Sequence, residues 1–176
     1  VDGRHAVDSA TLEAVEPFVR YIYEEYWSDD LVHDRFVPTP CITAHFTPDV
    51  VWDYCSQVDM PAVSTENETR CGLRALVGKH VGREAMSNFL SGWGSVFKVE
   101  RWEPTSIVVE GLRADITLSA RLVLRSSGRG VEVEEKHTLL MQPDVGYEEE
   151  GRSPVQISGV TIRLDFQTLE RELFAD

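Results

Sequence analysis

Between residues 16 and 27 apolar side chains return every three or four positions, with Phe18, Val19, Ile22 and Tyr26 on one face, and this spacing predicts an amphipathic helix. Pro17 suits a first helical turn better than an interior, which places the main helix at about 16–27 behind a short helical lead-in. Residues 1–10 are polar and expected to be flexible. The next stretch, broken by Pro38 and Pro40, predicts two short helical pieces around a turn. At FTPDVVWDYCS the period changes to two: Val51, Asp53 and Cys55 fall on one face of a strand, and Val50, Trp52 and Tyr54 on the other. Residues 57–79 show no clear period and read as a loop or a ragged hairpin. The helical period returns in VGREAMSNFLSGW, through Ala85, Met86, Phe89, Leu90 and Trp93, with Gly92 and Gly94 as its stop.

From Val96 to Phe166 the chain reads as a meander of long strands, VFKVERWEPTSIVVE, ADITLSARLVLRS, VEVEEKHTLLMQ and VQISGVTIRLDFQ, followed by a short helix in QTLERELF. The connections are Gly111-Leu112-Arg113, the hairpin signal SSGRG and the acidic loop PDVGYEEEGRSP. Strands this long with internal breaks such as Glu103-Pro104 predict bulges that curve the sheet. Helices followed by a curved antiparallel sheet specify the α+β class. With 176 residues, the chain fits a single domain over 1–176, large enough to bury a core and to enclose an apolar pocket.

The order of these pieces, and the motifs F-x-x-D-V-V-W-D, V-G-R-E-A and V-V-E-G-L-R-A-D-I, resemble the nuclear transport factor 2-like superfold in its SnoaL-like polyketide cyclase and ketosteroid isomerase branch. The likeness spans roughly residues 10–174. It implies a cone in which N-terminal helices and the concave face of the sheet line a pocket open at one end. Isomerases, cyclases, dehydratases, epoxide hydrolases and non-catalytic binding or assembly proteins share that fold.

Charge narrows the choice of partners. Thirty acidic against 17 basic residues give a formal charge of −13, which repels phosphate backbones and anionic lipid and argues against nucleic-acid or membrane partners. The first residues lack the basic and apolar regions of a signal peptide, and a cytoplasmic protein is the expectation. Cys41, Cys55 and Cys71 have no CxxC spacing and read as buried thiols. His45 and His80 lack a partner at metal-ligand spacing, so no metal is expected, and without a Gly-rich phosphate loop or nucleotide fingerprint no cofactor is expected either.

Strand parity singles out the candidate chemistry. Val131, Val133, Leu139 and Met141 share a face with Glu135 and His137, so an ionisable pair sits on an apolar face. A histidine is suited to proton transfer near neutral pH, and Glu135 is placed to orient it. Asp53, on the Val51 and Cys55 face of the first strand, is the second candidate, as a general base. The resemblance adds roles: Asp53 matches the isomerases' proton-transferring aspartate, and His137 stands where the family puts a donor to an oxyanion. Histidine there, in place of the isomerases' aspartic acid, looks more like the cyclases and dehydratases. Tyr21, in F-V-R-Y-I-Y, matches the isomerase phenol. Asp165 matches a last-strand aspartate, although alternation puts it on the face opposite Val160, Ile162 and Leu164. Trp93, Phe97, Leu139 and Met141, with Asp165, are the expected substrate-binding residues.

These readings point to an enzyme that moves protons on a hydrophobic polyketide- or terpenoid-like small molecule, as an isomerase, cyclase or dehydratase. A homodimer or homo-oligomer through the outer sheet face is expected. The alternatives are a non-catalytic ligand-binding protein, like the small subunit of aromatic-ring dioxygenases, and an epoxide hydrolase. The latter needs an inward Asp–Arg–Asp set, where this chain offers Glu135 and His137.

Overall fold

The computed structural model describes residues 7–32, 44–56, 68–144 and 153–174. Helix α1 (Ser9–Arg20) starts earlier than its spacing suggests, because the Asp8 carboxylate accepts a hydrogen bond of 2.6 Å from the Thr11 amide and caps it. Pro17 lies inside this helix and not at its start. The chain continues through a π-helical turn (Tyr21–Tyr26), in which the Trp27 amide bonds back to Ile22, into α2 (Trp27–Val32). The wider turn adds a residue to the ladder and rotates the side chains that follow it.

Strand β1 (Phe46–Tyr54) leads, beyond the undescribed 57–67, to α3 (Glu68–Ala75) and the short β2 (Gly78–Val81). The stretch 68–81 is therefore helix then strand, and not a hairpin. Helix α4 (Arg83–Val96) runs past both glycines that were expected to stop it. Gly92 is explained by packing: a Cβ there would meet the Leu76 side chain at 3.1 Å. The meander follows as β3 (Phe97–Glu110), β4 (Arg113–Leu124), β5 (Gly130–Pro143) and β6 (Val155–Arg163), closed by α5 (Phe166–Phe174). Gly111 and Gly128 occupy left-handed positions, φ +60° and +73°, in the two tight connections.

The six strands form one curved, unclosed sheet in the order β2-β1-β6-β5-β4-β3. It is mixed where antiparallel pairing was expected throughout, because β1 lies parallel to β6. Alternation holds through β4, where Ala114, Ile116, Leu118, Ala120, Leu122 and Leu124 are all buried. In β3 it is broken on purpose. Register shifts between Val99 and Arg101, and between Pro104 and Ser106, leave Glu100 and Thr105 with no residue directly opposite them in β4. Glu100 and Arg101 both face outward as a result, in ion pairs with Arg121 and Glu132, and Trp102 turns inward. Strict alternation from Phe97 would instead have put Arg101 and Glu103 into the core.

The core lies between the concave face of the sheet and the helices, from Val15, Val19 and Ile22 on one side to Leu118 and Leu122 on the other. A buried ion pair between Arg74 and Glu170, with bonds of 2.8 and 2.6 Å, ties α3 to α5.

Candidate functional site

Glu135 and His137 occupy consecutive inward positions of β5, opposite Leu118 and Ile116 of β4, with Ile162 of β6 on the other side of His137. Each is only 2% exposed. Polar, ionisable groups held among isoleucine and leucine need hydrogen-bonding partners to offset the lost hydration. They have them in series. His137 Nε2 is 2.7 Å from Glu135 Oε2, and His137 Nδ1 is 2.8 Å from the hydroxyl of Tyr23. Burial, reinforced by the charge of Glu135, pushes the Tyr23 phenol well above its ordinary pKa, so it keeps its proton. A Tyr23 hydroxyl that donates to Nδ1 leaves the proton of a neutral imidazole on Nε2, from which it is donated to Glu135. This arrangement satisfies every polar atom of His137 and Tyr23. Glu135 Oε1 has no hydrogen-bond partner among the described residues.

Glu135 and His137 form the polar part of the wall of a cavity of about 50 Å3. That is room for about four water molecules, by the volume one water needs. The rest is apolar and mainly aromatic. All four tryptophans of the chain line it, Trp27, Trp52, Trp93 and Trp102, together with Tyr54 and Phe89. No lysine or arginine lines it among the described residues. The Trp102 ring stands edge-on to His137 with centroids 6.0 Å apart. The indole nitrogens of Trp52 and Trp102 are buried without an acceptor. The Tyr54 hydroxyl also makes no well-formed bond, and burial, with the charge of Glu135, raises its pKa well above the usual phenol.

The other candidates fall elsewhere. Asp53 stands on the face of β1 away from Trp52 and Tyr54, and its carboxylate accepts bonds from the Ser56 amide at 3.3 Å and the Ser56 hydroxyl at 2.8 Å. It closes the turn that follows the strand and does not line the cavity. Tyr21 is 42% exposed and stacks on Tyr26. The phenol that reaches His137 is two residues later, because Tyr23 is one turn beyond Val19 on the buried face of the helix. Asp165 lies past the end of β6, exposed, and caps α5 by accepting from the Thr168 amide at 3.0 Å and hydroxyl at 2.7 Å. Of the expected apolar wall only Trp93 lines the cavity; Phe97, Leu139 and Met141 are core residues away from it. His80 bonds the Leu76 carbonyl at 2.8 Å, and desolvation lowers the pKa of His45. Cys55 is a buried thiol; Cys41 and the Cys71 side chain lie outside the described residues.

Among the described residues no group of three or more histidine, cysteine, aspartate or glutamate side chains is arranged to hold a metal ion, and no helix is long and apolar enough to cross a membrane. No family model matches the chain, and no curated protein does. Solved structures do match it in shape. A candidate isomerase from Rhodopseudomonas palustris superposes with a TM-score of 0.62 at 12% identity, over 93% of this chain and 97% of its own. A candidate SnoaL-like polyketide cyclase from Jannaschia gives 0.60 at 13% identity, over 100% and 99%. An NTF2-like protein of unknown function from Burkholderia pseudomallei gives 0.59 at 16% identity, over 96% and 100%. At such identities the likeness concerns the fold, and the chain has the nuclear transport factor 2-like α+β cone.

Proposed function

We propose that the chain is a proton-transfer enzyme of the isomerase, cyclase or dehydratase type, acting on a small hydrophobic carbonyl compound with Glu135 as its base. The observation that carries this reading is the free oxygen of Glu135: Oε2 is held by His137 while Oε1, in the wall of an aromatic cavity, has no partner among the described residues. A carboxylate so placed is poorly hydrated and fixed in direction, two properties a general base needs. Glu135 Oε1 takes the proton from carbon next to the carbonyl. The C–H electron pair becomes a carbon–carbon double bond, and the carbonyl π pair moves to oxygen as an enolate. In an unsaturated ketone, returning the proton from Glu135 to the γ carbon of the dienolate moves the double bond; attack of the enolate carbon on a second carbonyl, whose oxygen then takes that proton, cyclises the molecule; departure of a β-hydroxyl with that proton, as water, dehydrates it. His137 and Tyr23 hold the carboxylate in place through their series of hydrogen bonds. A polyketide- or terpenoid-like substrate would present one ring or one end to a cavity of this size.

Asp53, the base implied by family resemblance, has no part in this scheme because its carboxylate is bound to Ser56. The test is deuterium uptake from D2O into cyclohex-2-enone, followed by proton NMR. The protein should accelerate exchange next to the carbonyl, and Glu135→Gln should lose about 100-fold or more of that acceleration, the usual scale for removal of a positioned base. Exchange no faster than in buffer, or equal in the variant, would overturn the reading.

A further inference from the structure

We infer that the indole N–H groups of Trp52 and Trp102 are hydrogen-bond donors to the ligand, so that the cavity selects a neutral, one-ring carbonyl compound over a hydrocarbon or an alkylammonium cation. The inference rests on the proposed reading of the site and adds to it the polarity of the molecule and the residues that read it.

Indole N–H groups buried in native proteins normally find an acceptor. Trp52 and Trp102 do not, although they come from strands near opposite edges of the sheet, β1 and β3, with β6, β5 and β4 between them. The curl of the sheet brings both to one cavity, and Glu135 on β5 lies between them in strand order. Trp102 reaches it only because the bulge at Glu100 reverses the parity of β3, and bulges next to sites commonly re-aim a side chain in this way. The nitrogens of Trp27 and Trp93, the other indoles of the wall, are not sealed from solvent and unpaired in this way. Two buried, unused donors and one unused acceptor, Glu135 Oε1, thus belong to residues of one wall.

A carbonyl oxygen accepts from an indole N–H, and a C–H or O–H beside it faces Glu135. A hydrocarbon would leave both donors unpaired. An ammonium ion would suit Glu135 and the aromatic walls, but it has no lone pair for the indoles and would place a positive charge beside their positive N–H edges. The same donors suit the oxygen that gains charge as an enolate forms, the position at which fixed donors contribute most to catalysis.

The chain has four tryptophans, so its 15N-labelled spectrum carries four indole N–H peaks. Trp52→Phe and Trp102→Phe identify two of them; should either variant fail to fold, through-bond assignment of the wild-type protein identifies the same peaks. On titration with cyclohex-2-enone the Trp52 and Trp102 peaks should move downfield, and with cyclohexene they should not. Each variant should bind the enone about 5–10-fold more weakly, the scale of one hydrogen bond, with affinity for cyclohexene within about twofold of wild type. Equal movement with both ligands, movement confined to Trp27 and Trp93, or tighter binding of cyclohexylammonium than of the enone would overturn the inference. Indole shifts without deuterium exchange would leave it standing and sink the proposed catalysis; exchange without indole shifts would do the reverse.

Discussion

Tyr23 and His137 are separated by 114 positions in the chain and joined by a buried hydrogen bond of 2.8 Å. The bond fastens the first helical segment to the middle of the sheet, where the inner face of β5 carries Glu135 and His137. It also sets the imidazole: with Nδ1 occupied by the phenol, Nε2 is left to hold Glu135, and the carboxylate keeps one orientation toward the cavity.

Tyr23→Phe should therefore affect both stability and chemistry. It leaves Nδ1 buried without a donor, a loss of about 1–3 kcal/mol in urea unfolding, and it frees the imidazole to change tautomer, which should alter the pH profile of exchange. Tyr21→Phe removes an exposed hydroxyl and should stay within about 0.5 kcal/mol of wild type. Equal effects of the two variants would show that the phenol bound to His137 has no special role.

Glu135→Gln and Asp53→Asn separate the two carboxylates that parity alone placed on inward faces. The first should remove most of the exchange activity. The second weakens two bonds to Ser56, so it should cost about 1 kcal/mol of stability and leave the rate within about twofold. Loss of exchange in Asp53→Asn with retained folding would return Asp53 to the mechanism.

What could be read in the sequence depended on how regular the chain is. The strand β5 alternates without interruption over the site, so Glu135 and His137 were legible as an inward pair. Helical spacing also carried the signal for Tyr23, since Val15, Val19 and Tyr23 repeat every four residues; the phenol implied by the resemblance, Tyr21, is its exposed neighbour. On β1 the parity was correct, but which face meets the cavity depends on the parallel pairing with β6, a relation between residues a hundred positions apart. Trp102 was hidden by the bulge at Glu100, because nothing in the residue order marks which of Glu100 and Arg101 is the extra one. Asp165 fell in a strand pattern that ends two residues earlier, where Thr168 offers a cap.

That cap supplies its own test. Asp165→Ala removes acceptors for the Thr168 amide and hydroxyl at the start of α5. The bonds from the Thr168 amide and hydroxyl, helped by nearby Arg171, hold the Asp165 carboxyl below its ordinary pKa. The variant should unfold at a lower urea concentration, as other capping losses do, with exchange activity unchanged. A change in activity without a change in stability would place Asp165 back among the substrate-binding residues.

Alkaline pH should expose the buried acids of the core. Burial pushes the Cys55 thiol up to about 12, with Glu135 and Asp53 adding to the rise against a backbone bond at Leu164, and the Tyr23 and Tyr54 phenols are raised well above their usual value. Below about pH 9 these groups hold their protons in the folded and unfolded chain alike, and their contribution to stability is constant. Above it the unfolded chain releases the thiol proton, and near pH 10 the phenol protons, while the folded chain keeps them. The unfolded state then binds fewer protons, so stability falls as pH rises, until the thiol of the folded chain also ionises near 12. The urea midpoint should be level between about pH 7 and 8.5 and decline steadily from 9 to 11. Tyr54→Phe should flatten part of that decline, and because the Tyr54 hydroxyl makes no well-formed hydrogen bond it should do so without loss of stability at pH 7. A midpoint that stays level to pH 11, or a Tyr54→Phe variant as steep as wild type, would mean that these groups reach solvent in the folded protein.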